Sequence, residues 1–365
     1  VIGWAVASVV VMLAAYRWLV ILRDTPGDLG FDFRQFWQGA RDVVHGVSPY
    51  PSPELLATAG DHLTSVGIQE VFRFPYPAGA AIVLAPFGLL EFEPAAAIWL
   101  SLGLVCVLAA LRLLGVRDWR VYGVALTSIP VMSAISLGTL TPLLLLLVAI
   151  VWRFRDRSLV AGSALALAIS LKLFLWPLVL WLAATRRYGA AALATGLALA
   201  FTLGSWAAIG FAGFVGYPEQ LRRLTDVVAE RGYSLVALGH ALGLPGEASR
   251  LLPWAIGLAL LGYMGLRASR GEMDERATFV LALMAALVLT PITWLHSFAL
   301  LVVPLALGWP ALAWPWCLLW AFWLLVFSSP PVQESGGEIW RLMLAGAVAI
   351  TVALVVIRHH AATRT

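Results

Sequence analysis

SLVAGSALALAISLKLFLWPLVLWLAA, residues 158–184, is the stretch that decides the fold. It is apolar throughout except at Lys172, the only lysine in the 365-residue chain. Arginines bracket it: Arg153, Arg155 and Arg157 before it, Arg186 and Arg187 after it. Short cytoplasmic loops of membrane proteins gather basic residues, so both ends of the run are expected on one side. The run must then enter the bilayer and return. A crossing helix needs about 20 apolar residues, and each leg here falls well short. The tip at Ser170-Leu171-Lys172 is therefore expected below the outer surface, where irregular backbone is tolerated only beside a cavity. A cation at that depth costs roughly 3 kcal/mol on insertion scales and normally faces a pathway or pocket.

The same argument extends outward. Further basic clusters stand at Arg112, Arg117 and Arg120, at Arg267, Arg270 and Arg276, and at Arg358 and Arg364. Residues 121–152 form a second hairpin by this logic, with a tip at Gly138-Thr139. Residues 278–307 form a third, with a tip running from Thr290 to His296. The count is about twelve transmembrane helices with both termini cytoplasmic, some of them short and broken, in one domain over residues 1–365. Two outer loops carrying amphipathic helices are expected, at 23–78 and 213–250. Residues 74–90 are read as re-entrant or partly inserted. The apolar run 1–22 lacks a basic front and a cleavage pattern, and is expected to be a retained helix.

Composition agrees. The chain is 61% hydrophobic and 12% charged, with a mean hydropathy of +0.89. That excludes a soluble core of this size and predicts an all-α polytopic membrane protein in contact with membrane lipids. The net charge of +4 bears on orientation, and no nucleic-acid module, phosphate-binding loop or dinucleotide fingerprint accompanies it. Cys106 and Cys317 both lie in apolar runs and are expected as small core residues.

The outer side gathers the reactive side chains. In Phe31-Asp32-Phe33-Arg34-Gln35-Phe36-Trp37-Gln38-Gly39-Ala40 the apolar positions follow one helical face, and Gly46 ends the helix. Asp32 stands at the start, where an aspartate can cap or act as a base. Ser52-Pro53-Glu54 is expected to open a second short helix. Asp32, Lys172 and His296 thus come to one face from three segments. A carboxylate can take the proton of an attacking hydroxyl. A lysine and a histidine can neutralise a departing phosphate, though either can also be structural. Arg73, Arg222 and Arg223 are further candidates for donor phosphate. Tyr50, Tyr76, Tyr233 and Trp294 are candidates for contact with sugar or acceptor.

These residues resemble the bacterial polyprenol-phosphate-sugar-dependent glycosyltransferases of family 87, membrane enzymes with the C-type glycosyltransferase fold. Residues 32–40 are similar to that family's opening aspartate followed by aromatic and small residues. Gly46-Val47-Ser48-Pro49-Tyr50 is similar to its Gly-x-x-Pro-Tyr turn, and Phe74-Pro75-Tyr76-Pro77 to its Tyr-Pro segment. Lys172 with Pro177, Arg186 and Arg187 resembles its lysine-led helix, and Pro291-Ile292-Thr293-Trp294-Leu295-His296 its Trp-x-His stretch. The first hairpin tip, Gly138-Thr139-Leu140-Thr141, and the second outer loop at Gly232-Tyr233-Ser234 depart from the family pattern by lacking amide side chains.

The resemblance implies transfer of a hexose, mannose first, from a polyprenyl-phosphate donor to a lipid-linked or glycan hydroxyl. The reaction would take place with inversion on the outer face of the plasma membrane, with Asp32 as general base. No acidic cluster of the Asp-x-Asp kind is present, so no metal or other cofactor is expected. Two alternatives stay open: a lipid-linked-sugar flippase or transporter, which would also bury a lone cation, and an arabinosyl- or glucosyltransferase on the same kind of carrier.

Overall fold

The computed structural model describes residues 2–23, 29–52, 73–229, 231–326 and 338–362. Every regular element among them is a helix. Four helices are long and apolar enough to cross a membrane: Phe92–Leu113, Tyr188–Ala208, Gly246–Ser269 and Ile339–His359. The helices Ile129–Ser136 and Thr141–Arg153, bent by 116° at a short break, make a fifth if taken as one span. The chain is a multi-pass membrane protein. The expected count of about twelve treats each apolar run as a crossing, whereas the structure leaves several as shorter helices, among them Ala78–Gly88, Ser158–Leu171 and Trp314–Val326.

Why these runs break is visible at their tips. Gly138 has a φ of +69°, a left-handed conformation that a side chain disfavours, and it separates Ile129–Ser136 from Thr141–Arg153. Lys172 is fully extended (φ −155°, ψ 109°) between Ser158–Leu171 and the short turn Leu173–Leu175, after which Pro177–Ala184 returns. Helix Glu275–Leu289 stops before Pro291, and Leu295–Leu301 resumes as a tight 3₁₀ helix. Proline cannot donate to the preceding turn and disfavours helix in the residue before it.

The three hairpins pack on one another. Ser158–Leu171 lies against Thr141–Arg153, Pro177–Ala184 against Glu275–Leu289, and Ile129–Ser136 against Leu295–Leu301. The legs in the centre, Glu275–Leu289 and Val302–Gly308, are buried on almost every side, as expected of helices that are hydrophobic all round. The long helices Gly246–Ser269 and Tyr188–Ala208 instead leave most of their apolar surface facing outward. The arginine ends of the hairpins are tied by rings and charges. Trp181 lies 6.0 Å from Trp152 and 4.6 Å from Phe279. Arg155 and Arg187 both pair with Glu275, and Arg187 also holds Asp156 at 2.7 Å.

The first outer helix, Phe31–Val44, buries Phe33, Phe36, Gly39 and Ala40 against Ala78–Gly88. The sequence pattern predicts a face of Phe33, Phe36, Trp37, Ala40, Val43 and Val44, and of these Val44 is exposed. The two helices meet backbone to backbone. A Cβ at Gly88 would fall 2.6 Å from the Arg41 nitrogen, and one at Gly39 would run into the Phe74 ring. Ala78–Gly88 has 11 residues, about 16 Å of helix against a hydrocarbon core of about 30 Å. The second short helix expected from Ser52-Pro53 falls outside the described residues. Cys106 is buried, but Cys317 is exposed, so only the first is a core residue. Cys317 sits on the outward side of the 3₁₀ helix Trp314–Phe322.

Candidate active site

Asp32 is the second residue of its helix, and Gly30, not Asp32, occupies the capping position. The helix start is completed by another chain segment. The amides of Gly30, Asp32 and Phe33 donate to the carbonyls of Ser136 and Leu137 at 2.8–3.1 Å. The first outer helix therefore begins where Ile129–Ser136 ends, and each supplies what the other's terminus lacks. Trp99 locks this junction from the side. Its indole donates to the Gly138 carbonyl at 2.8 Å and stacks on Phe33 at 5.5 Å. One turn beyond Asp32, Phe36 packs on Tyr76 with ring centroids 4.3 Å apart. That contact brings the Tyr76 phenol into electrostatic reach of Asp32.

Lys172 projects from the break in the 158–184 hairpin. Its ammonium lies over the Phe174 ring, 5.4 Å from the centroid, a favourable cation–π geometry. It is within electrostatic reach of Asp32 on one side and of His296 on the other. The tip is also tied to the Tyr-Pro segment, since a Cβ on Gly79 would lie 3.0 Å from the Ser170 carbonyl oxygen. His296, 3% exposed, sits in the first turn of the 3₁₀ helix that closes the third tip. Three distant stretches of sequence thus come within electrostatic reach of one another in pairs: 32 with 172, and 172 with 296.

The buried Nδ1 of His296 and the hydroxyls of Ser170 and Ser297 have no hydrogen-bond partner among the described residues. Buried polar side-chain atoms are in large majority paired; others without a partner lie apart at Asp42, Trp181, Ser205 and His240, whereas these three fall at the tips that bear Lys172 and His296. Ser170 and Ser297 are absent from the sequence-based candidates. The available signal was a hydroxyl in an apolar run, two residues before the lysine and one after the histidine.

The other candidates divide. The Tyr233 amide donates to the Thr293 carbonyl at 2.6 Å, so the second outer loop reaches the third tip beside the half-buried Trp294. Tyr50 is buried instead. Its ring stacks on Trp206 at 4.5 Å, and its hydroxyl donates to the Tyr76 carbonyl at 2.6 Å. It orients Tyr76 and has no free face for a sugar. Arg73 pairs with Asp42 at 2.7 Å, about 15 Å along the helix from Asp32. Arg222 and Arg223 both bind Glu219 of their own helix, and Arg222 also faces Asp226. The expectation that these three arginines hold donor phosphate meets a simple obstacle: local carboxylates pair with them. Among the described residues no group of three or more His, Cys, Asp or Glu side chains could hold a metal ion.

The family model for glycosyltransferase family 87 matches residues 74–297, which include Tyr76, Lys172, Trp294 and His296. The chain belongs to glycosyltransferase family 87. Among curated relatives, this glycosyltransferase is 28% identical to the polyprenol-phosphate-mannose-dependent alpha-(1-2)-phosphatidylinositol pentamannoside mannosyltransferase of Mycolicibacterium smegmatis. That match covers 77% of this chain and 75% of the relative. It is 26% identical to the protein of the same description from Mycobacterium tuberculosis, over 77% of this chain and 71% of the relative. No solved structure matches the glycosyltransferase.

Proposed function

We propose that this family 87 glycosyltransferase moves mannose from a polyprenyl-phosphate donor to a hydroxyl of a lipid-linked glycan, on the outer side of the membrane. Asp32 accepts the proton of the acceptor hydroxyl as its oxygen attacks the anomeric carbon. The bond between that carbon and the phosphate oxygen breaks, and polyprenyl phosphate leaves with the electron pair. Attack opposite the leaving group inverts the centre, so a β-linked donor gives an α-linked product. Lys172 and His296 neutralise the charge that grows on the phosphate, which matters most where water is scarce. Tyr76 lines the space beside Asp32, and Trp294 with Tyr233 lines the side of the third tip.

The observation that carries this reading is the pairwise electrostatic proximity of Asp32, Lys172 and His296 from three separate segments, with buried polar atoms at Ser170, His296 and Ser297 that lack partners among the described residues. The mannose and polyprenol in the relatives' descriptions support the donor. The arginine clusters, by the positive-inside rule, support an outer-facing site and cytoplasmic termini. The test is to incubate the purified protein in lipid with radiolabelled polyprenyl-phosphate mannose and phosphatidylinositol mannosides. A labelled glycolipid formed by the parent protein and lost in Asp32→Asn is the expected result. Label transferred equally well by Asp32→Asn, or accepted only from an arabinose or glucose donor, would overturn it.

A further inference from the structure

At the arginine-bearing end, away from Lys172, a cavity of about 570 Å³ opens between Pro177–Ala184 and Gly246–Ser269. Three arginines line it, Arg186, Arg187 and Arg270, against one carboxylate, Glu275. That carboxylate is already shared, since Arg155 and Arg187 both bind it. The side chains of Arg186 and Arg270 have no ion-pair or hydrogen-bond partner among the described residues and are exposed. Thr185 and Ser269 add hydroxyls to the same wall.

A second observation is independent of charge. Arg186 has a φ of +64°, in the left-handed region that L side chains disfavour. It closes a helix-ending turn in which its amide donates to Ala183 and that of Arg187 to Leu182, at 2.9 and 2.8 Å. The helix across the cavity ends on the same turn, and there the residue is Gly271 with a φ of +66°. Glycine is the usual occupant of this position. An arginine held there against its backbone preference points to a use for its guanidinium. Exposed apolar side chains lie on the same two helices one to two turns from the arginines, at Leu180, Tyr263 and Leu266.

We propose that this cavity binds a phosphate ester, gripped by Arg186 and Arg270, and that the adjoining apolar strip suits it to the headgroup of an anionic phospholipid. Guanidinium forks match phosphate oxygens in pairs, and basic pockets between membrane helices are known to take anionic headgroups. The site is separate from the transfer reaction and does not depend on it.

The test uses the full chain, delipidated in a neutral detergent and titrated with phosphatidylglycerol or with water-soluble glycerol phosphate. Native mass spectrometry counts what is retained, and thermal melting reports the effect. The parent protein is expected to retain phosphatidylglycerol at least tenfold better than Arg186→Gly or Arg270→Gln. Arg186→Gly, relieved of its backbone conflict, should melt about 2 °C higher without lipid yet lose the lipid-induced rise. Retention of glycerol phosphate alone, lost in the same variants, would support the phosphate-ester site and assign it a soluble ligand. Equal retention of both ligands by parent and variants would overturn the proposal. Because Arg270 has an ordinary backbone, its variant keeps the test informative if Arg186→Gly folds poorly.

Discussion

The two ends of the 158–184 hairpin are built on opposite electrostatic terms. At the arginine end, Glu275 and Asp156 draw Arg155 and Arg187 together over the Trp152–Trp181–Phe279 cluster. Both of these arginines are ion-paired. At the Lys172 end, the ammonium rests on an aromatic ring, and the polar atoms of Ser170, His296 and Ser297 face one another's neighbourhood without hydrogen bonds. A buried group left unpaired costs about 1–3 kcal/mol. Among the described residues the arginine end leaves one such atom in its aromatic cluster, the indole nitrogen of Trp181, against three around the Lys172 end. The contrast separates scaffold from site more sharply than sequence motifs do.

The largest break in this contrast is expected from Asp32→Asn. It keeps the shape and removes the base, so turnover should fall by about 100- to 10,000-fold while the melting temperature stays constant. A variant with near-parental turnover would remove Asp32 from the chemistry. Next comes Lys172→Met, which keeps the apolar stem and removes the charge. A loss of about 100- to 1,000-fold in turnover is expected, as for removing one charge-stabilising donor. Lys172→Arg should recover part of it. If the methionine variant turns over normally, the cation is scaffold after all.

Packing supplies a smaller effect. Gly88→Val places a side chain against the backbone at Ala40 and Arg41. It should cost about 1–3 kcal/mol of stability, read as a lower melting temperature, with turnover falling in step because the Asp32 helix is displaced. The smallest effect is expected on the second outer loop. Hydrogen bonds from Arg222 and Arg223 hold the Glu219 carboxyl down to about 2, from an ordinary 4.5. Its contribution to stability is therefore complete above pH 4.5 and fades as the pH falls toward 2. Glu219→Gln should flatten the melting temperature across that window and leave turnover at pH 7 alone. An unchanged pH profile would show that this ion-paired surface carries no stability.

Much of the architecture was legible because arginine placement and apolar length are local properties. The breaks at Gly138, at Lys172 and before Leu295 fall within the expected tips, since glycine, proline and an isolated charge interrupt helices wherever they stand. Leg lengths were less legible. Whether an apolar run is one helix or two depends on what packs against it, and Thr141–Arg153 turns away from Ile129–Ser136 by 116°. The site divides in the same way. Asp32, Lys172 and His296 are rare charges in apolar surroundings, which a sequence displays openly. The fates of Arg73, Arg222, Arg223 and Tyr50 rest on Asp42, Glu219 and Trp206. Nothing in a linear reading ranks those partners above a substrate.

The junction between the first outer helix and Ala78–Gly88 has an evolutionary corollary. Asp42 with Arg73 and the Tyr50 hydroxyl with the Tyr76 carbonyl fasten the chain on either side of residues 53–72. Asp32 is thereby held in register by those fasteners and by the close approaches at Gly39 and Gly88. Sequence change that loosens either fastener should therefore shift Asp32 together with the whole first outer helix, so drift in this part of the chain is tolerated only where both are kept.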